Sequence, residues 1–403
     1  MMRADKTYIG WLLSGMLMLF LTACASHEDP EDAPKEKAVL KIHVSAPDRS
    51  IVTRGDNGNV DATEAENAVH NLHLWVFEHA NGKFVGHVSS GTGSELSTGQ
   101  GIFSMEVSDD FAKRQPKVDV YVMANVTNEN CGISLGATST RDDLDNALIG
   151  ISYFGLTSPV SSVPTGGLPM TGVLKEQSIL DNAPVFGVGS ETTQTHNNVK
   201  LVRAVSKVQF VFTAIDDIDE THKHTVESIT LNAEMIPTTE YLFLKDAYSA
   251  EGGGNPLTFD GYRYKVGSSY NESAATLMNT QKEINKCAIT SSPDDYVYKT
   301  QTGQAYETLI QTGITNGDLT SAGTFYLRES DKNVEGTITY DANKTAKFQL
   351  VKPEEDFVPG DFGRNHTWIV YGYFTENLNI MTVYIKVKEW EDKDPLDHII
   401  YNW

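Results

Sequence analysis

The chain has 403 residues, 40% of them hydrophobic, with 32 glycines and a formal charge of −22 at pH 7. That length suits two domains better than one, and so acidic a balance argues against nucleic acid and against docking onto anionic lipid, because both need basic patches. The cysteines at 24, 131 and 287 make no disulfide framework and, without a CxxC, no thiolate zinc site.

The N-terminus reads as a targeting signal. Arg3 and Lys6 precede the apolar stretch WLLSGMLMLFL at 11–21, which is too short to span a bilayer comfortably. It runs into Leu21-Thr22-Ala23-Cys24, the L-x-A/G-C pattern of a bacterial lipoprotein signal. Residues 1–23 are the expected signal peptide, and Cys24 the expected site of lipidation. The following ASHEDPEDAPKEK reads as a disordered tether.

Residues 38–45, AVLKIHVS, alternate as a half-buried strand does, with Ala38, Leu40, Ile42 and Val44 on one face. Soon after, Arg54 sits before Gly55 in a polar, Gly-rich stretch that a protease could reach, with Arg49 as the alternative cut. Further strands are expected at 71–77, 84–85, 103–107 and 118–125, with a hairpin turn at His79-Ala80-Asn81-Gly82-Lys83. Residues 140–150 carry the pattern of a short helix capped by Thr140 or Asp142, and TSPVSSVPTGGLPMTG reads as loop.

From Val199 a long strand is expected through Ile215, then strands at 226–236, 241–245, 325–327, 336–340, 347–351, 367–374 and 380–390. Residues 246–310 are polar and aperiodic, and read as surface loops or insertions. Many strands with few helices point to an all-β chain of two β-sandwiches, 55–198 and 199–390. A tail, 391–403, follows. In it Ile399, Tyr401 and Trp403 alternate on one face, behind Pro395.

Patterns for chemistry are poor. His70 and His73 would point to opposite faces of a strand, and His222 and His224 sit in what reads as a solvated turn, so no metal site is assigned. Asp56, Gly58 and Asp61 make a poor calcium loop, because the third position, which needs an acidic residue, is Gly58. No GxSxG elbow or GxxxxGK[ST] loop is present, and the pair Glu354-Glu355 reads as a solvated face. No enzyme and no cofactor are expected. Cys131 and Cys287 could pair in an exported chain.

In order, LTAC at 21–24, Thr53-Arg54-Gly55, NLHLWVF at 71–77, YVMAN at 121–125 and GLPMTG at 167–172 form one series. It continues through KLVRAVSKVQF at 200–210, FYLRE at 325–329, GRNHTWIV at 363–370 and VKEW at 387–390. Together these landmarks resemble the type V pilins, or fimbrillins, of Bacteroidia, with the FimA-type major fimbrial subunit as comparison. The resemblance implies two tandem transthyretin-like β-sandwich domains and a shaft subunit of a cell-surface fimbria. It implies an outer membrane lipoprotein precursor, held there by its lipid until an Arg-specific surface protease cuts between Arg54 and Gly55. Residues 24–54, the tether and the strand of Leu40, Ile42 and Val44, would then leave. The tail of another subunit, through Ile399, Tyr401 and Trp403, would fill the groove. The partners implied are further copies and the anchor and tip subunits; no receptor is implied.

The residues alone allow another reading, in which the first strand is permanent and the chain is a surface lipoprotein that binds glycans without polymerising. That reading expects aromatic residues such as Trp75 or Trp368 to line a groove.

Overall fold

The structure is a computed structural model, which describes residues 38–45, 63–90, 100–149, 161–182, 185–188, 199–215, 223–243, 269–284, 286–287, 313–330, 332–350, 362–374 and 381–389. It is all-β, with short helices in the connections. The strands up to residue 203 are β1 (Ala38–Ser45), β2 (Leu72–Glu78), β3 (Phe84–Ser90), β4 (Gln100–Val107), β5 (Val118–Ala124), β6 (Leu148–Ile149), β7 (Met170–Gln177), β8 (Leu180–Asn182), β9 (Val185–Val188), β10 (Val199–Lys200) and β11 (Val202–Arg203).

One five-stranded sheet runs β11-β7-β5-β2-β3, antiparallel throughout. Its middle strand β5 is buried at every position, as the apolar run VDVYVMA requires of a central strand. The β2–β3 hairpin closes where the Gly82 amide donates to Glu78 O at 2.8 Å, with Gly82 at φ +66°. That left-handed conformation is why the turn carries Asn-Gly. A second sheet contains β10-β1-β9-β8, with β4 also paired to β1. The two sheets approach closely: a Cβ on Gly86 of β3 would stand 2.6 Å from Met105 Sδ of β4.

The remaining strands are β12 (Ser206–Ile215), β13 (Thr225–Leu231), β14 (Glu240–Tyr241), β15 (Ala275–Met278), β16 (Lys282–Glu283), β17 (Lys286–Cys287), β18 (Thr320–Leu327), β19 (Val334–Tyr340), β20 (Lys344–Leu350), β21 (His366–Phe374) and β22 (Met381–Glu389). They form two further five-stranded sheets, β17-β12-β21-β22 with β18 on β12, and β15-β13-β19-β20 with β16 on β13. Val208, Phe210 and Phe212 of β12 and Trp368, Val370 and Phe374 of β21 share one core with Ile229, Leu231, Ile338 and Phe348 of the facing sheet. This is the sandwich that period-two alternation specifies.

Several expectations need correction. The long strand over 199–215 is broken into the two-residue β10 and β11 and the ten-residue β12, each in a different sheet. The chain bends at Ala204 and Val205, whose backbone bonds go to Pro169 O and from Asn365 N, both at 2.8 Å. Met170–Gly172, read as loop, opens β7, and β15, β16 and β17 lie within the stretch read as loops. Besides the expected helix at Arg141–Asp145, the first half holds Glu64–Asn67, Asp109–Arg114 and Asn128–Cys131. Of the strand expected at 241–245, Glu240–Tyr241 pairs across to Leu148–Ile149, and residues 244–245 lie outside the described residues. Among the described residues, no helix is long and apolar enough to cross a membrane.

Candidate strand-exchange site

β1 lies inside its sheet. It is hydrogen-bonded to β9, with Ile42 opposite Val188, to β10, with Val44 opposite Val199, and to β4 besides. Both β9 and β10 run parallel to it. The side chains of Leu40, Ile42 and Val44 are 0% exposed, whereas Val39 on the other face is 43% exposed. The structure places it between neighbours, so its departure would leave an open slot rather than a bare margin. Burying three such side chains stabilises by roughly 1.5–3 kcal/mol each, which is much of the 5–15 kcal/mol that holds a typical domain together.

The other expected site residues, Cys24, Arg49, Arg54, Gly55, Ile399, Tyr401 and Trp403, lie outside the described residues.

Where the described chain resumes after β1, a polar junction begins. Thr63 caps the helix Glu64–Asn67 in a capping box: Glu66 N donates to Thr63 Oγ1, and Thr63 N donates to Glu66 Oε2 at 2.7 Å. The same Glu66, 1% exposed, accepts from Tyr326 Oη at 2.6 Å and stands 3.1 Å from Lys207 Nζ. Arg203, fully buried, donates to Glu66 O, to Asn67 Oδ1 and to Asn365 Oδ1. Next to it Arg364 donates to Leu242 O at 2.7 Å and to Tyr241 O and Glu329 Oε1, both at 2.5 Å, while Arg328 donates to Pro237 O and Thr238 O. Burial pushes the Glu240 carboxyl up to about 8, with Arg364 opposing it, and burial also raises Glu329 against its Arg364 partner. The landmark segments around 203–207, 325–329 and 363–366 thus meet in one buried junction. Sequence reasoning missed Glu66, although the T-x-x-E spacing of its capping box was there to be read.

Trp75 and Trp368 line no surface groove. Both are 0% exposed, and Trp75 Nε1 donates to Gly136 O at 2.8 Å. The face of Trp75 and Phe77 packs on Tyr121, Met123, Leu242 and Phe243. His224 is not in a solvated turn: it is 4% exposed, stacks on Phe374 at 3.8 Å and is bonded to Asp341 Oδ2 at 2.5 Å. Cys131 is a free, buried thiol, held above the usual thiol range by burial; the side chain of Cys287 lies outside those described. Among the described residues, no group of three or more His, Cys, Asp or Glu gathers as a metal site.

Residues 38–203 match the family model of the major fimbrial subunit protein (FimA). The match opens on the first residue of β1 and closes on the last of β11, so β1 belongs to the unit the model describes. The chain is 23% identical over 242 residues to the minor fimbrium tip subunit Mfa3 of Porphyromonas gingivalis, across 59% of this chain and 50% of that one. It thus spans half the length of that relative. Among solved structures, the C-terminally truncated tip protein Mfa3 of P. gingivalis superposes with a TM-score of 0.47 at 13% identity, over 88% of this chain and 100% of that one. A fimbrilin (FimA) of P. gingivalis W83 gives 0.42 at 12% identity, over 88% and 98%. Through residues 38–203, the chain is thus similar to the FimA-type fimbrillins of Bacteroidia.

Proposed function

We propose that this protein is a structural subunit of a cell-surface fimbria, in the shaft, and that β1 is a temporary plug. The precursor is exported as a lipoprotein carrying its lipid on Cys24 and is cut between Arg54 and Gly55 by an Arg-specific protease. β1 then yields its place to the tail of another copy, with Ile399, Tyr401 and Trp403 replacing Leu40, Ile42 and Val44. In this reading 55–198 and 199–390 are two domains, and 391–403 is the donor.

The observation that carries this is the interior place of β1 with three sealed apolar side chains. A strand so placed, once gone, leaves unpaired backbone and an apolar trough together, the combination that recruits another strand. An empty slot is too costly to persist, so the cut alone does not eject β1. It turns a tethered strand into a dissociable one that an incoming tail can displace. The test is limited proteolysis of the purified precursor at arginine, followed by intact mass and a native gel. A fragment beginning at Gly55 and a ladder of oligomers are expected, and deletion of 396–403 should abolish the ladder. A stable monomer after the cut would refute the mechanism.

A second position is favoured by the similarity to Mfa3, which is a tip subunit. A tip subunit accepts or caps but donates no strand, so its assembly would survive deletion of 396–403. The glycan-binding alternative loses its expected aromatic groove with the burial of Trp75 and Trp368.

A further inference from the structure

Across the β2–β3 hairpin, His87 stands directly opposite Trp75, and His73 lies two residues from Trp75 on the same face. The three rings pack on one another: His73 on Trp75 at 5.6 Å, His87 on Trp75 at 5.1 Å, and His73 on His87 at 5.4 Å with their planes 17° apart. This brings His73 Nδ1 to 3.2 Å from His87 Nε2. Both imidazoles are half-buried. His73 also lines an open pocket of about 440 Å³ whose polar wall is Asn71, Thr127, Asn128 and Glu129.

We propose that His73 and His87 form a two-imidazole site for a divalent transition-metal ion such as Zn²⁺ or Cu²⁺, with its remaining coordination positions open to the pocket. Two nitrogens bound to one ion at 2.0–2.1 Å in a tetrahedral array stand about 3.3–3.4 Å apart, so the nitrogens are already spaced for it. The buried indole of Trp75 backs both rings and fixes their orientation, which is the preorganisation a chelate needs. Binding replaces the proton the two nitrogens share; the donating ring moves that proton to its other nitrogen. Burial, and for His73 then the neighbouring ring, holds each imidazole below its usual range, so lone pairs are available at neutral pH. His79 is bonded to Asp119 and His224 to Asp341. The sequence reading weighed His73 against His70 on its own strand, and the fitting partner lies across the turn.

The test is calorimetric titration of the folded full chain with Zn²⁺, alongside Cu²⁺ quenching of tryptophan fluorescence, in the wild type, His73→Gln and His87→Gln. Saturable binding is expected, weakened at least about tenfold in each variant, with the double variant at least as weak as either single one. Because a variant could disturb the hairpin, imidazole resonances of the unaltered protein are followed as well: substoichiometric Zn²⁺ should move those of His73 and His87 before those of His79 and His224. No saturable binding, a smaller loss in either variant, or unmoved His73 and His87 resonances would overturn the assignment.

Discussion

Lys207 Nζ lies 3.1 Å from Glu66 Oε1, and both side chains are almost wholly sealed from solvent. Water cannot compensate either charge if the other is removed, and Tyr326 Oη would lose its acceptor as well. Glu66→Ala should therefore cost about 3–5 kcal/mol, the range for leaving one member of a buried pair uncompensated. Replacing Glu66 and Lys207 together by apolar residues of similar volume should cost less than Glu66→Ala alone. Urea midpoints of the variants check both statements.

Glu240 gives the protein a pH dependence whose sign follows from burial. Its folded pKa, near 8, lies above the ordinary 4.5. The stability it contributes is whole below 4.5 and is lost as pH rises toward 8, because the unfolded chain releases the proton first. Glu240→Gln keeps an oxygen for the Glu329 amide, which now donates to Oε2 at 3.2 Å. The variant should lessen the fall in stability between pH 5 and 8 by about 1 kcal/mol or more, at 1.36 kcal/mol per pKa unit. Denaturant titrations at the two pH values measure it.

Ile42 separates a permanent strand from a plug. Ile42→Ala should destabilise the uncut precursor by about 2–5 kcal/mol, as buried Ile→Ala changes do. If β1 has been exchanged for a tail, the same substitution should leave the assembled polymer's melting temperature unchanged. Scanning calorimetry before and after the cut compares the two.

Gly336 shows how tightly the later sandwich is packed. A Cβ there would lie 2.3 Å from the Phe348 ring and 2.5 Å from Thr230 O, so the aromatic ring covers the glycine directly. The backbone oxygen cannot step aside as a side chain could. Gly336→Ala should cost about 1–3 kcal/mol, read as a lowered thermal midpoint with the circular dichroism of the fold retained.

The strands were legible wherever alternation or a continuous apolar run marked them: β1, β2, β5, β12, β19 and β21 lie within a residue or two of where the sequence pattern puts them, apart from the start of β12. Sequence reading failed where a run of apolar residues serves several sheets in turn. Nothing in LVRAVSKVQF says locally that Val202 pairs in one sheet and Val208 in another, because the bends are set by distant Pro169 and Asn365. The apolar face of β1 was readable, but its interior position was not, since pairing with β4, β9 and β10 is a matter of topology rather than composition. The junction residues were visible as motif letters without a role. Arg203, Glu329 and Arg364 look like surface charges until the fold seals them in.

The junction at Glu66 also bears on the order in which the molecule can mature. The carboxylate's hydroxyl donor comes 260 positions later, at Tyr326, and its ammonium partner, Lys207, arrives in between. In a chain that emerges N-terminus first, the leading half must wait with an acidic group it cannot yet bury, so its last step of consolidation belongs to the trailing half. Such long-separation closure slows folding, and no piece that stops short of Tyr326 can complete it.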